Sequence, residues 1–441
     1  MTTNNKTSLM LRFITFTSLA LLFIQCNSEP YTFSEDQSSE ILKTLSSDDM
    51  KGRQAFSPEI KKAAEFISSE FSKAGLSYLN GESDYLQEFG ILSIEVANSD
   101  IKLSSDKIKS DDFFALSDTS TIQWTETSNI EKLHISKGED FQVRFNEIRE
   151  SNEEAIVFVD QSHEASFRRY QPFFSRATRV FPDQQSANKI FVLTNKSPSS
   201  TFNAYVTKNY ETLELANVAA SIEGKRKNEF VVFSAHYDHI GIMQSSEANA
   251  DSIANGANDD ASGTTAVIEL AKYFQSLDTP ERTLIFVAFT AEESGGYGSK
   301  YFSTQLNPDE IMAMFNIEMI GKPAVEGPNT AWITGFEKSS FGELLQKSAE
   351  GTIYEFYPDP YPSQNLFYRS DNATLARLGV PAHTISTTPI DVDPDYHQVS
   401  DEFETIDVTH LTNTIRAISE AAVGIVNGVD TPTRVDALQL N

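Results

Sequence analysis

The strongest constraint on the fold is a regular alternation of short apolar segments and amphipathic segments from Leu215 onward. The apolar segments, predicted as strands, are Val218–Ile222, Phe230–Ala235, Thr283–Thr290, Met312–Met319, Ala331–Thr334 and Ala382–Ser386. The amphipathic segments, predicted as helices, are Ser262–Ser276, Phe341–Ala349, Asn372–Leu378 and Val408–Val426. Almost wholly apolar strands between amphipathic helices are typical of a sheet that is covered on both faces. We therefore predict an α/β fold with a mixed, largely parallel central sheet and helices on both faces.

The N-terminus has the pattern of an export signal. Lys6 and Arg12 precede the apolar run Phe13–Ile24, which is short for a membrane span but fits the core of a secretory signal. The run leads to Cys26, the only cysteine of the chain, and a lone cysteine there resembles the lipid-modified first residue of a bacterial lipoprotein. We expect an exported protein, periplasmic or anchored to the outer membrane through Cys26. Ordinary signal cleavage and secretion is the alternative.

The 441 residues suffice for one large catalytic domain with an insert. We divide the chain into a signal peptide (1–26), a linker (27–40), a first part of the catalytic domain (41–95), an inserted module (96–215), the remaining catalytic part (216–430) and a tail (431–441). The module is rich in Ser, Asp and Lys and contains short apolar runs such as Ala155–Val159 and Lys189–Leu193. These runs fit either an α/β or a β-rich module.

The composition limits the partners of the protein. Its formal net charge is −28, whereas nucleic acids and anionic membranes bind to patches of Lys and Arg. We expect no nucleic-acid partner, and membrane contact only through a lipid anchor at Cys26.

Residues able to do chemistry follow the predicted strands. The five segments concerned are Ala235–His239, Gly256–Gly263, Thr290–Gly296, Asn316–Gly321 and Asp395–Asp401. Ligands of open α/β sheets collect at the carboxyl ends of strands. Two histidines and several carboxylates in such places indicate a metal site, and only seven histidines exist in the chain.

The first two segments combine a histidine with carboxylates. His236 can offer a neutral imidazole nitrogen to a metal, and Asp238 is well placed to accept the other ring N–H. Asp259 and Asp260 open a helix among small residues, which let the backbone approach an ion closely. Helix capping is the alternative for this aspartate pair.

The remaining segments supply further acids and a second histidine. Glu292 and Glu293 directly follow an apolar strand, where paired carboxylates need a cation or a raised pKa. Glu318 interrupts another apolar strand. In the last segment, His397 is a ligand candidate, and Asp401 is a candidate to orient it.

As a set, these segments resemble the co-catalytic di-zinc aminopeptidase family, which includes bacterial leucyl aminopeptidases and the glutamate carboxypeptidase and transferrin-receptor relatives. The resemblance rests on A-H-Y-D-H, G-A-N-D-D-A-S-G, A-E-E-S-G, N-I-E-M-I-G and Y-H-Q-V-S-D, in order and spacing, and covers about residues 215–428. Asp48–Gly75 also resembles the family's N-terminal part. The resemblance implies the zinc-exopeptidase fold, with the insert resembling a protease-associated module.

The resemblance also implies a role for each candidate residue. His236 and Glu318 would bind a first zinc, Glu293 and His397 a second, and Asp259 would bridge the two. Glu292 would be the general base, Asp238 would support His236, and Tyr396 would hydrogen-bond the tetrahedral intermediate.

Two positions depart from the family pattern. Glu318 stands where the family usually has Asp, and Asn372 stands where it usually has His, in a place that we expect to affect the substrate rim.

We therefore predict a zinc-dependent aminopeptidase with two Zn²⁺ per chain, acting on peptides, in which Mn²⁺ or Co²⁺ could substitute. The alternatives are a carboxypeptidase, a glutaminyl-cyclase-like enzyme and a non-catalytic binding homologue. A carboxypeptidase needs arginines for the terminal carboxylate, and Arg369 is the conspicuous candidate. A non-catalytic homologue would lack ligands or the base, whereas every candidate here is a competent residue type.

Overall fold

The computed structural model describes Met1 and residues 31–79, 81–117, 119–182, 187–244 and 250–437. The predicted export signal and Cys26 lie outside the described residues, as does the end of the predicted tail. Among the residues that are described, no helix combines the length and apolar character needed to cross a membrane.

The described chain contains nine α-helices and eighteen strands. The helices are α1 (Glu35–Leu45), α2 (Ile60–Ala74), α3 (Phe141–Glu150), α4 (Glu164–Phe174), α5 (Ser262–Gln275), α6 (Tyr297–Ser303), α7 (Phe341–Ala349), α8 (Asn372–Ala376) and α9 (Val408–Val426). The strands are β1 (Ser77–Tyr78), β2 (Leu86–Leu103), β3 (Asp106–Lys107), β4 (Phe113–Leu116), β5 (Thr121–Thr125), β6 (Glu131–Ile135), β7 (Ala155–Val159), β8 (Thr178–Val180), β9 (Lys189–Leu193), β10 (Phe202–Ile222), β11 (Arg226–His236), β12 (Gly241–Ile242), β13 (Ile253–Ala254), β14 (Arg282–Phe289), β15 (Ile311–Ile317), β16 (Thr330–Ile333), β17 (Glu355–Pro358) and β18 (Ala382–Ser386).

One large mixed sheet organises the molecule. Its order is β17-β16-β18-β15-β11-β14-β10-β2-β3, with β1, β5 and β8 attached at the side. The four central strands β14, β11, β15 and β18 are parallel, so their carboxyl ends meet at one edge. Strands β10 and β16 flank this centre in antiparallel orientation. The predicted mixed α/β sheet is confirmed, but its parallel part is confined to the centre and to the β16–β17 pair.

Helices cover both faces of the sheet centre, as predicted. Helices α1, α2, α5, α7 and α9 contribute to one apolar core, which includes Phe233, Phe286 and Phe315 of the sheet. Helices α6 and α8 contribute Phe302 and Leu375 to the core on the opposite face. Every residue of β14 is buried, which explains the unbroken apolar run in its sequence.

The predicted linker ends earlier than expected. Residues 35–40 belong to α1 instead of a tether. The reason is a buried polar contact: the Ser38 hydroxyl donates to Glu269 at 3.1 Å and accepts from Thr412 at 3.0 Å. These bonds attach α1 to helices α5 and α9.

The inserted module is continuous with the main sheet. Strands β2 and β10 are paired antiparallel from Leu86–Val218 to Leu103–Phe202, with one shift of register between Thr207 and Lys208. Each strand is continuous across the predicted boundary that it contains, β2 at 95/96 and β10 at 215/216. Between them lies a four-stranded sheet of order β4-β9-β7-β6, with α3 and α4 in the adjoining core. Of the two alternatives for the insert, the structure has the α/β module, continuous with the catalytic sheet.

Candidate metal centre

Three neighbouring strand ends bring most of the candidate residues together. His236 is the last residue of β11, Glu292 and Glu293 closely follow β14, and Glu318 directly follows β15. Since β11 pairs in parallel with both β14 and β15, these side chains meet at one edge. Asp259 joins them from the turn before α5.

The first ligand group consists of His236, Asp259 and Glu318. One nitrogen or oxygen atom from each side chain lies within 4.8 Å of the other two, and His236 Nε2 is 3.2 Å from Asp259 Oδ1. His236 and Asp259 are buried. This group has the donors of one metal ion.

The second ligand group shares Asp259 with the first. His397 Nε2 lies 3.2 Å from Asp259 Oδ2 and 3.3 Å from Glu293 Oε1. His239, to which no role was assigned from the sequence, also reaches this group: its Nδ1 is 2.9 Å from Glu293 Oε1 and 3.9 Å from Asp259 Oδ2. The second histidine of A-H-Y-D-H was the signal that could have identified it.

The residues present fit zinc. The buried atoms without a hydrogen-bond partner in the described residues include His236 Nε2, His239 Nδ1 and Glu293 Oε1. Such atoms are costly unless something pairs with them, and a cation within each group would do so. The donors are imidazole nitrogens and carboxylate oxygens without thiolate, which suits a catalytic zinc site.

The electrostatics of the site also call for cations. Burial raises the pKa of Glu318 to about 7, and the charge of Asp259 adds to the shift. Burial raises the pKa of Glu292 well above its ordinary value, with further contributions from neighbouring carboxylates. Burial opposes ionisation of Asp259 too, but the His236 and His397 rings beside its carboxylate hold its pKa well below the usual value. Divalent cations would stabilise all these carboxylates in their charged form.

Asp260 acts differently from its neighbour Asp259. Its Oδ1 accepts the backbone N–H groups of Gly263 and Met319, both at 3.0 Å, and its Oδ2 accepts that of His236 at 3.2 Å. The capping interpretation therefore applies to Asp260, which joins the start of α5 to two strand ends, while Asp259 faces the ligand groups.

Asp238 contacts His236 in another way than expected. Its backbone carbonyl, 3.1 Å away, faces His236 Nδ1, while its carboxylate Oδ1 is 3.9 Å from that nitrogen. The carboxylate accepts the Glu292 backbone N–H at 3.0 Å instead. The chain turns after β11 so that the carboxylate points towards the next strand end.

Asp401 was expected to orient His397, and this is also corrected. Its two carboxylate oxygens accept the backbone N–H groups of Asn258, at 2.9 Å, and Asp259, at 3.0 Å. Asp401 therefore positions the backbone of the shared ligand. The segment that carries His397 is held by Lys322, whose Nζ lies 2.6 Å from Asp393 and 2.8 Å from Asp395.

Arg53 is a supporting residue that sequence reasoning missed. Its fully buried guanidinium donates to the carbonyls of Tyr237, Leu45, Asn255 and Gly256 at 2.6–2.9 Å. It thereby joins the end of β11 to the turn that leads into Asp259. The signal was the D-M-K-G-R segment, which resembled the family but had no assigned role.

A cavity of about 280 Å³ opens over the ligand groups. Its lining includes four carboxylates and an apolar wall: Asp259, Glu292, Glu293 and Glu318, and Met319, Trp332, Leu366 and Ile390. Tyr396 and Arg369 also line it, and the Tyr396 ring stacks on His397 with centroids 4.0 Å apart.

Asn372 does not reach this rim. Its amide nitrogen donates to the carbonyls of Phe367 and Ala382, and its oxygen accepts from Thr384. The residue is fully buried and ties α8 to β18, and its oxygen contacts Thr384, which lines the cavity. The expected effect of Asn372 on the substrate rim stays a prediction.

Comparisons with known proteins bear on the family and the fold of the chain. Residues 217–422 match the profile of "Peptidase family M28", a stretch that begins in β10 and ends in α9. The chain is similar to leucine aminopeptidase 1 of Ajellomyces dermatitidis, with 27% identity over 270 residues, which cover 57% of this chain and 68% of that protein. A protein of Pyricularia oryzae named "Probable zinc metalloprotease" is 35% identical over 113 residues, 25% of this chain and 22% of the other.

Solved structures support the fold. The zinc aminopeptidase BSAP of Bacillus subtilis superposes with a TM-score of 0.55 and 17% identity, covering 91% of this chain and 97% of the other. The aminopeptidase of Aneurinibacillus sp. strain AM-1 gives a TM-score of 0.53 and 19% identity, covering 93% and 96%.

The family and the sequence relatives confirm the predicted enzyme class, a zinc-dependent aminopeptidase hydrolase. Residues 217–422, just under half of the chain, are thus similar to peptidase family M28.

Proposed function

We propose that the protein removes N-terminal residues from peptides with two zinc ions that share Asp259, and with Glu292 as general base. The observation that carries this proposal is the place of Asp259 in both ligand groups, with His236 and Glu318 on one side and Glu293 on the other. A carboxylate with two oxygens facing different ligand sets is suited to bridge two ions.

Glu292 is the residue best suited to move protons. It lines the cavity beside both ligand groups, and its backbone is fixed by the bond to Asp238. Burial and neighbouring carboxylates raise its pKa, which favours proton uptake at neutral pH. Zinc ions, when bound, supply Lewis acidity and lower the pKa of water. Glu292 takes a proton from the attacking water and delivers it to the leaving amine.

Tyr396, which also lines the cavity, would assist the attack on the peptide carbonyl. Its ring is held against His397, and its hydroxyl can donate a hydrogen bond to the oxygen that becomes negative during attack on the peptide carbonyl. Burial raises the pKa of Tyr396, and the carboxylates of the site add to the shift, so the phenol keeps its proton.

The lining of the cavity favours an aminopeptidase over a carboxypeptidase. Four carboxylates line it, enough to balance two divalent cations, so a free α-amine would meet carboxylate oxygens and not the arginine cluster that a terminal carboxylate needs. Arg369 is the one guanidinium in the lining, and it is exposed. The apolar wall of Trp332, Leu366 and Ile390 suits an apolar side chain, in agreement with the name of the leucine aminopeptidase relatives.

The Glu292→Gln variant tests the role of the base. It keeps the shape of the side chain but removes the proton acceptor, so we expect unchanged zinc content and a kcat lower by about 10²–10⁴-fold. Metal content is measured by atomic emission, and turnover with aminoacyl reporters that carry a free amine. The matched control is Glu293→Gln, which we expect to lose zinc as well as turnover. A fully active Glu292→Gln enzyme contradicts the mechanism.

A substrate panel tests the class of peptidase. We expect about two zinc ions per chain, and cleavage of free-amine reporters but not of N-blocked ones. Cleavage of N-blocked peptides from the carboxyl end would point to the carboxypeptidase alternative, and cyclisation of N-terminal glutamine to the cyclase alternative.

A further inference from the structure

We infer that His239 is a fourth ligand of the second ligand group, so that two imidazoles and two carboxylates enclose an ion there. The inference rests on the proposed two-zinc function. It assigns the second position to His239 and His397 with Asp259 and Glu293, and leaves His236, Asp259 and Glu318 at the first.

The position of the His239 ring is the first argument. Its ring is fully buried, and Nδ1, Asp259 and Glu293 form a group whose ligand atoms lie within 4.8 Å of one another. His397 reaches the same two carboxylates from the cavity side and is 37% exposed. The two histidines therefore approach one point from opposite sides, one from the core and one from the cavity.

The contact between His239 and Glu293 is the second argument. Nδ1 and Oε1 are only 2.9 Å apart, yet both belong to the buried atoms that make no hydrogen bond within the described structure. The ring N–H direction thus does not point at the oxygen. Two buried atoms at this separation, neither bonded to the other, are arranged like neighbouring ligands of a shared cation.

The surroundings hold the ring in place. A Cβ atom at Gly256 would lie 2.5 Å from His239 Cγ, so the absence of a side chain there makes room for the imidazole. The His239 backbone N–H donates to the Arg53 carbonyl at 3.2 Å. The ring meets that of His397 edge to face, with centroids 5.9 Å apart. A ligand fixed before binding loses little freedom on binding.

The consequence is an unequal pair of metal positions. Four protein ligands, two nitrogen and two oxygen, satisfy the tetrahedral preference of zinc, whereas three ligands leave a position open. The second position should hold its ion more tightly, and the first should be the one that opens to water and substrate.

Metal titration of the full chain and of His239→Gln tests the assignment. Glutamine keeps a polar side chain at this position but is a poor zinc ligand, so it separates ligation from mere positioning. We expect two zinc affinities in the wild type and loss of the tighter one in the variant by more than about 100-fold, the upper range for an outer-shell partner. The matched control is His410→Gln, another buried histidine whose ring nitrogens make no hydrogen bond in the described residues, which should change neither affinity. A tighter site in His239→Gln that stays within tenfold of the wild type overturns the inference.

A second measurement needs no variant. In the cobalt-loaded wild type, hyperfine-shifted imidazole signals count the histidine ligands by NMR. Three, from His236, His239 and His397, support the inference, and two overturn it.

The outcomes also separate this inference from the proposed function. A wild type that binds one zinc, lost in His239→Gln, contradicts the two-zinc function but supports His239 as a ligand. A wild type that binds two zinc ions, both kept in the variant, overturns only the inference.

Discussion

Replacing Arg53 by lysine should damage both the stability and the metal site. The guanidinium donates to four buried carbonyls, of Tyr237 at 2.8 Å, Leu45 and Asn255 at 2.6 Å, and Gly256 at 2.9 Å. A lysine keeps the charge but concentrates its donors at one nitrogen, so it cannot reproduce the planar fork.

The magnitude follows from the number of bonds. Hydrogen bonds from a charged group contribute about 1.5–3 kcal/mol each. If lysine loses two of the four, the free energy of unfolding falls by about 3–6 kcal/mol, a large part of the roughly 5–15 kcal/mol of a typical domain. Because Tyr237 lies between His236 and Asp238, and Gly256 leads towards Asp259, we also expect zinc affinity to fall about 10–100-fold, as for a supporting partner.

Arg282 offers a matched control because it is the first residue of β14, at the end of the strand away from the metal centre. It is also buried and also makes four bonds, to Glu229, Thr431 and the carbonyls of Ile425 and Asp430. Arg282→Lys should lower stability comparably without changing zinc affinity. The assays are denaturant unfolding of the metal-free proteins and zinc titration against a competing chelator.

Two results would refute the reasoning. A loss below 1 kcal/mol in Arg53→Lys would show that the four bonds do not matter as argued. Equal effects of the two arginine variants on zinc affinity would show that Arg53 has no special relation to the metal centre.

Three further predictions concern other supporting residues. Burial raises the pKa of Glu269 from its ordinary value of 4.5 to about 7, so the folded state keeps a proton that the unfolded state releases, and this group's contribution to stability should fall by on the order of 3 kcal/mol as the pH rises from 4.5 to 7. Glu269→Gln should therefore reduce the difference in stability between pH 5 and pH 8 by most of this amount in thermal unfolding, and an unchanged difference contradicts the prediction. The carboxylate of Asp401 accepts the backbone N–H groups of Asn258 and Asp259, and Asp401→Asn replaces one of these oxygens by an amide donor. Zinc affinity, measured by competition with a chelator, should then fall about tenfold or more. An unchanged affinity contradicts the positioning role of Asp401. Lys322→Met removes the ammonium that pairs with two aspartates near His397, so kcat/KM should fall, and the unfolding midpoint of the metal-free protein should fall too because the buried Asp393 loses its partner; an unchanged kcat/KM argues against this loop anchor.

The strands and helices around the site could be predicted because their sequences carry local information. Strand β18 and helix α9 have the bounds predicted from their sequences. A strand buried on both faces is a short continuous apolar run, and a helix buried on one face has apolar residues at the helical period, so both patterns can be recognised in the sequence. The strand-end rule then placed His236, Glu292 and Glu318 near one another, because parallel strands share a carboxyl edge.

The boundaries of the insert could not be predicted from local sequence patterns. Its strands β7 and β9 match the predicted apolar runs. The predicted boundaries of the insert, at 95/96 and 215/216, lie instead within the continuous strands β2 and β10. Strands β2 and β10 form a long antiparallel pair that links the main sheet to the insert. Its length depends on pairing between residues far apart in the chain, such as Phe202 and Leu103. The composition of either strand does not reveal its partner.

The metal centre likewise combines features that are visible in the sequence with contacts that depend on the fold. The order of the residues alone shows which residue types stand at the strand ends, and so which chemistry to expect and which side chains are candidate ligands. Only the tertiary structure decided that Asp401 holds the backbone of Asp259, that Asp238 faces Glu292, and that His239 reaches Glu293. These contacts depend on the direction of a side chain after a turn, which packing sets to within an ångström and which no spacing of letters encodes.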